Sequence, residues 1–151
     1  IWYSNKGHDG FLGNSVIGEW CNLGADTNSS NLKNNYSNIR VWSYSAEGTI
    51  DTNLQFHGLI MGDHSKCGIN TMFNTGTIVG VGANLFGGNF LPKFIPSFSW
   101  GGSEITETYQ FDKAMSVASV VMERRNLTLT DADKNILSQV FTDSKKYRSW
   151  E

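Results

Sequence analysis

The stretch Met61–Phe90, written in sixes, reads MGDHSK CGINTM FNTGTI VGVGAN LFGGNF. Each six opens on an apolar residue: Met61, Cys67, Phe73, Val79 and Leu85. The fifth place is small in four of them, Ser65, Thr71, Thr77 and Ala83, and is Asn89 in the last. The second place is glycine at Gly62, Gly68 and Gly80. A helix repeats its apolar face at 3.6 residues and a half-buried strand at two. Neither spaces apolar residues six apart with a small one between. A fixed six-residue period points instead to a parallel β-helix, in which each six is a short strand and a corner. The first side chain fills the core and the small fifth one fits beside the turn. Rungs this short bury their apolar side only by stacking on neighbouring rungs.

The same beat runs earlier, as FLGNSV IGEWCN LGADTN from Phe11 to Asn28. Its first places are Phe11, Ile17 and Leu23, and its fifth places are Ser15, Cys21 and Thr27. Ordinary antiparallel strands would show strict alternation and turn clusters instead. Between the two runs the beat breaks. Residues 29–36, SSNLKNNY, are polar and read as a loop. Residues 38–56 place Ile39 and Val41 before Glu47-Gly48, and Ile50 and Leu54 after it. This is a β-hairpin excursion with its turn near Ala46–Gly48. Excursions from a repeat scaffold gather on one face, often the binding face.

The reading is therefore a mainly β chain: a parallel β-helix over residues 1–90, with an insertion at about 29–56. Residues 91–151 form an exit segment, which holds both prolines, and a C-terminal two-helix extension. Phe111, Ala114, Met115, Ala118, Val121 and Met122 mark one helical face. Arg124 and Arg125 suit the negative end of that helix, and Asn126 stops it. Thr130 with Asp133 caps a second helix, whose face is Ile136, Leu137, Val140 and Phe141. These helices are expected to pack on the solenoid or on a neighbouring subunit, where they would cover strand edges.

Length and composition bound the rest. A chain of 151 residues is one domain, or one with an appendage. Its formal charge is -2 and its basic residues are scattered, so no electrostatic footprint for nucleic acid is present. No apolar run is long enough to span a membrane. Cys21 and Cys67 fall at inward places and read as buried thiols packing like small hydrophobes. A disulfide framework or a metal motif would need more cysteines at tighter spacing. A reduced, cytoplasmic setting follows. The opening IWYSNKGHDG reads as the middle of an array rather than a polar cap, so the chain is expected to be part of a longer protein. The histidines are His8, His57 and His64. His57 and His64 occupy different hexad places and lack acidic or cysteine partners at ligand spacing, so no metal site is expected.

His8 stands in GHDGFLGNSVIGEWCNLGADT, nine residues before Ile17. This run resembles the C-terminal acetyltransferase domain of the bifunctional family that makes UDP-N-acetylglucosamine. The match is ungapped through His8, Leu12-Gly13, Ile17-Gly18, Asn22, Leu23-Gly24-Ala25, Thr27 and Asn31. MGDHSKCGINTMFNTGTIVGVGANLFGG follows that family's rungs register for register, and the likeness covers roughly residues 5–90. The resemblance implies a left-handed β-helix, a homotrimer and acetyl-CoA as co-substrate. The acceptor would be an amino-sugar phosphate or a nucleotide sugar. A nucleotidyltransferase domain would precede this chain, and any magnesium would belong there. His8 would be the catalytic base, Asn22 and Phe11 would face the sugar, and Ala25 would offer a backbone N–H to the oxyanion. Asn31 and Lys33 would line the coenzyme arm, with Arg40 as a substitute for Lys33. Histidine suits the task, because an ammonium must lose a proton before it attacks a thioester and imidazole is a neutral base at cellular pH. Three positions depart from the family: Phe11 and Leu32 stand where it has tyrosines, and Asp26 where it has glycine. A different class of function remains open, in which the β-helix is a non-catalytic trimerisation or regulatory module of a nucleotidyltransferase.

Overall fold

In a computed structural model the described residues are 2–151, and they form a mainly β body with two helices at its C-terminal end. Strands β1 (Val16–Ile17), β2 (Asn22–Leu23) and β3 (Asn28–Ser29) lie on three sides of one turn of chain. After the insertion, whose strands are β4 (Arg40–Ser43) and β5 (Gly48–Asp51), the next turn holds β6 (Ile60–Met61), β7 (Lys66–Cys67) and β8 (Met72–Phe73). The following turn holds β9 (Ile78–Val79) and β10 (Asn84–Leu85). Then come β11 (Phe94–Ile95), β12 (Ser99–Gly101) and β13 (Ile105–Thr108).

Parallel ladders join each side. They run β1-β6-β9-β11 on the first side and β2-β7-β10-β12 on the second. β3 pairs with β8 on the third, and a parallel bridge joins Met72 to Phe90. Ile60 pairs with Ile78 and Lys66 with Asn84, so the chain returns to its own ladder after three hexads. The six-residue beat thus becomes a three-sided coil. Its core holds the first-place residues Ile17, Leu23, Met61, Cys67, Phe73, Val79 and Leu85, joined by Cys21, Leu59, Ala83, Leu91 and Ile95.

The small fifth-place residues have a definite task. Thr27 Oγ1 donates to Gly24 O at 2.7 Å, Thr71 Oγ1 to Gly68 O at 2.8 Å and Thr77 Oγ1 to Asn74 O at 2.9 Å. Each supplies a hydrogen bond to a corner carbonyl three residues back, as buried polar groups require. Corners on successive turns stack closely. A Cβ placed on Gly24 would meet the Gly68 carbonyl carbon at 2.4 Å.

Three expectations change. Phe11 stands at a first place yet lies 55% exposed. Leu12 is the residue that turns inward, bridging Ser29 and packing on the core. Leu12 to Ser29 and Asn5 to Asn22 are steps one residue short of three hexads. The chain tightens at Gly10, whose φ is +116° and where a Cβ would meet Thr27 O at 2.2 Å. Second, the ladders continue past residue 90, through β11 and β12 to Gly101. Third, hexad counting puts Trp20 at an outward place, where it would be surface for assembly, yet it is only 6% exposed because the chain's own helices cover it.

The insertion leaves and returns through an antiparallel bridge between Leu32 and Phe56. Its hairpin turns between Ser43 and Gly48, and Ile39 and Val41 pack on Ile78 of the first side. Helices α1 (Phe111–Glu123) and α2 (Asp131–Asp143) seat Ala118, Met122 and Leu137 around Trp20. α1 ends with Asn126 at φ 58°, and Thr130 with Asp133 forms a reciprocal capping box on α2. After the 3-10 turn Ser144–Tyr147, buried Arg148 donates to Ser144 Oγ at 2.8 Å and pairs with Glu151 at 2.8 Å. Its guanidinium stacks on Phe141, which fixes the end of the chain to the coil. No helix among the described residues is long and apolar enough to cross a membrane.

Candidate functional site

His8 sits on an exposed loop that is stapled down by its neighbours. The Lys6 ammonium donates to the carbonyls of His8 at 3.2 Å and Asp9 at 2.9 Å. The Asp26 N–H donates to Asp9 O at 2.9 Å, and the Phe11 N–H to Asn28 Oδ1 at 2.8 Å. The loop of His8 therefore lies against the corner of Ala25, between the second and third sides. The Ala25 carbonyl accepts from the Asn70 N–H at 2.8 Å, which ties that corner to the next turn.

The other candidates fall on either side of this corner. On the third side the Phe11 ring and the Asn31 amide meet over Gly13, where a Cβ would lie 2.5 Å from Phe11 Cζ and 3.0 Å from Asn31 Nδ2. Asn31 Nδ2 also donates to Asn14 Oδ1 at 2.8 Å. Asn22 faces outward from the second side, and its Oδ1 accepts from Asn5 Nδ2 at 3.3 Å. Within one chain, then, the loop of His8 is tied to the corner of Ala25 through Asp9 and Asp26, and Phe11 lies near Asn31, while Asn22 lies round the corner. Lys33 belongs to the insertion instead. Its ammonium donates to Asn38 O at 2.7 Å and bonds Ser37 Oγ at 3.4 Å, bracing the loop. The Arg40 guanidinium donates to Thr49 O at 3.1 Å within the hairpin.

The third side carries two exposed aromatic rings, Phe11 and Phe90, in one row with half-buried Met72 and Asn28. Phe90 is 57% exposed and lies beside Met72, which pairs with Asn28, beyond which stands Phe11. Such a row has the character of an interface surface.

His57 and His64 stand apart from His8. His57 Nδ1 lies 3.0 Å from Gly58 O. The His64 ring packs near Trp20, with centroids 6.2 Å apart, and its Nδ1 is buried without a partner. Burial, reinforced by the Lys66 charge, pushes its pKa down to about 4. Among the described residues no group of three His, Cys, Asp or Glu side chains converges on a metal position. Cys21 and Cys67 are free and buried, and burial pushes the Cys21 thiol up to about 11.

Two cavities were not foreseen from sequence. The larger, about 790 Å³, lies on the first side between Ile60, Ile78 and Val81 of the coil, Tyr44 of the hairpin and Lys146-Tyr147. Lys146 there is paired with Glu47. The second, about 610 Å³, contains Asn22 together with Tyr3, Asn5, Trp20, Lys66, Arg124 and Arg125. Lys66 occupies the outward place of its strand just as Asn22 does, but the insertion between them hides that equivalence from hexad counting.

No family model matches the chain. It is similar to the Bifunctional protein GlmU of Methanococcus aeolicus, at 33% identity over 102 residues. That match covers 65% of this chain and 24% of the relative, so the chain spans about a quarter of the length of the curated protein it matches.

Proposed function

We propose that this chain is the β-helical part of an acetyl-CoA-dependent N-acyltransferase whose acceptor is an amino-sugar phosphate or a nucleotide sugar. It works as a homotrimer with a left-handed coil. The observation that carries the reading is the unbroken run from His8 to Asn31, in which the loop of His8 rests on the corner of Ala25. The similarity to a bifunctional protein of the GlmU kind supports it, as do the exposed rings of Phe11 and Phe90 on the third side. In the reaction the His8 imidazole removes a proton from the acceptor ammonium. The freed amine attacks the thioester carbonyl, and the tetrahedral oxyanion accepts from the Ala25 N–H. Collapse expels the coenzyme thiolate, which takes up the proton. Asn22 and the Phe11 ring hold the sugar, and Asn31 with Lys33 holds the coenzyme.

The test is thiol release from acetyl-CoA with glucosamine phosphate. His8→Ala should lower the rate by about a hundredfold or more, with coenzyme binding and trimer mass unchanged. Failure of the protein to bind acetyl-CoA, or to release thiol with any amino sugar, ends the enzyme reading. The exposure of His8 and the scatter of its partners over two sides of a single chain favour a second reading in that event. The coil would then be a trimerisation module without chemistry of its own. A monomer by light scattering at micromolar concentration would remove both.

A further inference from the structure

The cavity that holds Asn22 gathers three cations, Lys66, Arg124 and Arg125. Its floor is the outward row of the second side, where Asn5, Asn22 and Lys66 sit on successive rungs. Its roof is the end of α1, with Val121, Arg124 and Arg125, and its wall is the Tyr3 ring stacked on Trp20 at 4.2 Å and 4°. No carboxylate lines it. Two acidic groups are engaged in other bonds: Asp63 Oδ1 accepts the Glu19 N–H at 2.7 Å, and Glu123 Oε1 accepts the Ser119 hydroxyl at 3.3 Å. None of the three cations has an ion-pair partner among the described residues. The two arginines also answer the carbonyl end of α1. Lys66 has no such explanation. It is half-buried on a strand, and its ammonium has one protein acceptor, the His64 carbonyl at 2.9 Å. A partly desolvated ammonium with open donor capacity, lining the same cavity as two arginines, lacks a counter-charge among the described residues.

We infer that this cavity binds the phosphate group of a ligand, held by Lys66, Arg124 and Arg125, with the amides of Asn5 and Asn22 beside it. Guanidinium forks match phosphate oxygens and lysine adds a point charge. At about 610 Å³ the space is of the size of small-molecule sites. Under the acyltransferase reading, on which only the choice of carrier rests, the phosphate arrives on the acceptor sugar or on the coenzyme.

Calorimetry with inorganic pyrophosphate at low ionic strength tests the site without any turnover. Pyrophosphate should bind, and added salt should weaken it. The double variant Arg124→Ala, Arg125→Ala, at an exposed helix end, and the separate Lys66→Met should each weaken binding by about tenfold or more. Circular dichroism verifies that both variants keep the fold. Glucosamine phosphate or coenzyme A should compete with pyrophosphate, and whichever does so carries the anion; unphosphorylated glucosamine should not. Absence of pyrophosphate binding, undiminished binding in both variants, or failure of both carriers to compete overturns the inference. Binding without thiol release removes only the acyltransferase reading. Thiol release with KM unchanged in both variants removes only this one.

Discussion

The stability of this fold should fall between pH 7 and pH 5, and His64 should be the cause. Its imidazole packs beside Trp20 with Nδ1 unpartnered, and its pKa is pushed from 6.5 down to about 4. Burial is the main cause and the Lys66 ammonium the second, opposed by the carboxylates of Asp63 and Asp133. A histidine depressed in this way is neutral when folded. Below pH 6.5 the unfolded chain takes up a proton that the folded chain refuses, so acid favours unfolding. Each pH unit within that window removes about 1.4 kcal/mol. Going from pH 7 to pH 5 should therefore lower the unfolding free energy by about 2 kcal/mol, and the loss levels off at about 3 kcal/mol only below pH 4. Glu47, Asp133 and Glu151 have carboxyls held below their ordinary values of 4.5, 3.8 and 4.5, so their contributions are lost only at lower pH. The assay is urea unfolding followed by tryptophan fluorescence at pH 7, 6 and 5, beside His64→Asn. Asparagine tolerates the φ of 59° at this corner. The variant should lose the slope and equal or exceed the native chain at pH 5. Parallel profiles for the two proteins would refute the reasoning.

Other outcomes follow from packing. Trp20→Ala should cost about 3–5 kcal/mol, read by thermal or urea unfolding, because the indole fills the seam between coil and helices. Gly24→Ala should destabilise by about 1–3 kcal/mol, since its Cβ would drive the corner off the Gly68 carbonyl. A melting temperature equal to that of the native chain would contradict the stacked-corner geometry. Thr130→Ala opens the capping box and should cost about 1 kcal/mol, measurable by the same unfolding curves.

The six-residue beat made the core legible because one apolar place per rung needs no knowledge of distant chain. Met61, Cys67, Phe73, Val79 and Leu85 all turn inward as read. The hydroxyls of Thr27, Thr71 and Thr77 were legible as small, though not as donors to corner carbonyls. Phe11 misled because a tightened turn drops one residue without disturbing the local pattern, and Leu12 inherits the inward place. Trp20 misled for another reason. Whether an outward side chain meets solvent, another subunit or its own chain's helices is a long-range fact. Around His8 the contact between its loop and the next corner, made by the Asp26 N–H to Asp9 O, joins residues seventeen apart that no local pattern pairs. The cation cavity lay beyond reach, because Lys66 pairs with Asn22 across the whole insertion and Arg124 and Arg125 arrive from a helix read only for its dipole.

The reversed strand at the end of the second side has a consequence for solubility. A ladder of parallel rungs is a template: its last strand offers open N–H and C=O groups on which a like strand from another chain can dock, and repetition of that step makes a fibre. Here β13 pairs antiparallel with β12, and the ladder is irregular between Trp100 and Gly101. The Thr108 hydroxyl, one rung along, bonds Glu151 and accepts from the Trp150 indole at 2.9 Å. An incoming rung would find the wrong polarity and Trp150 and Glu151 bonded to the Thr108 side chain beside that edge. Removing residues 148–151 should leave the coil able to form but free that edge, and light scattering on warming would then rise where the intact chain stays clear.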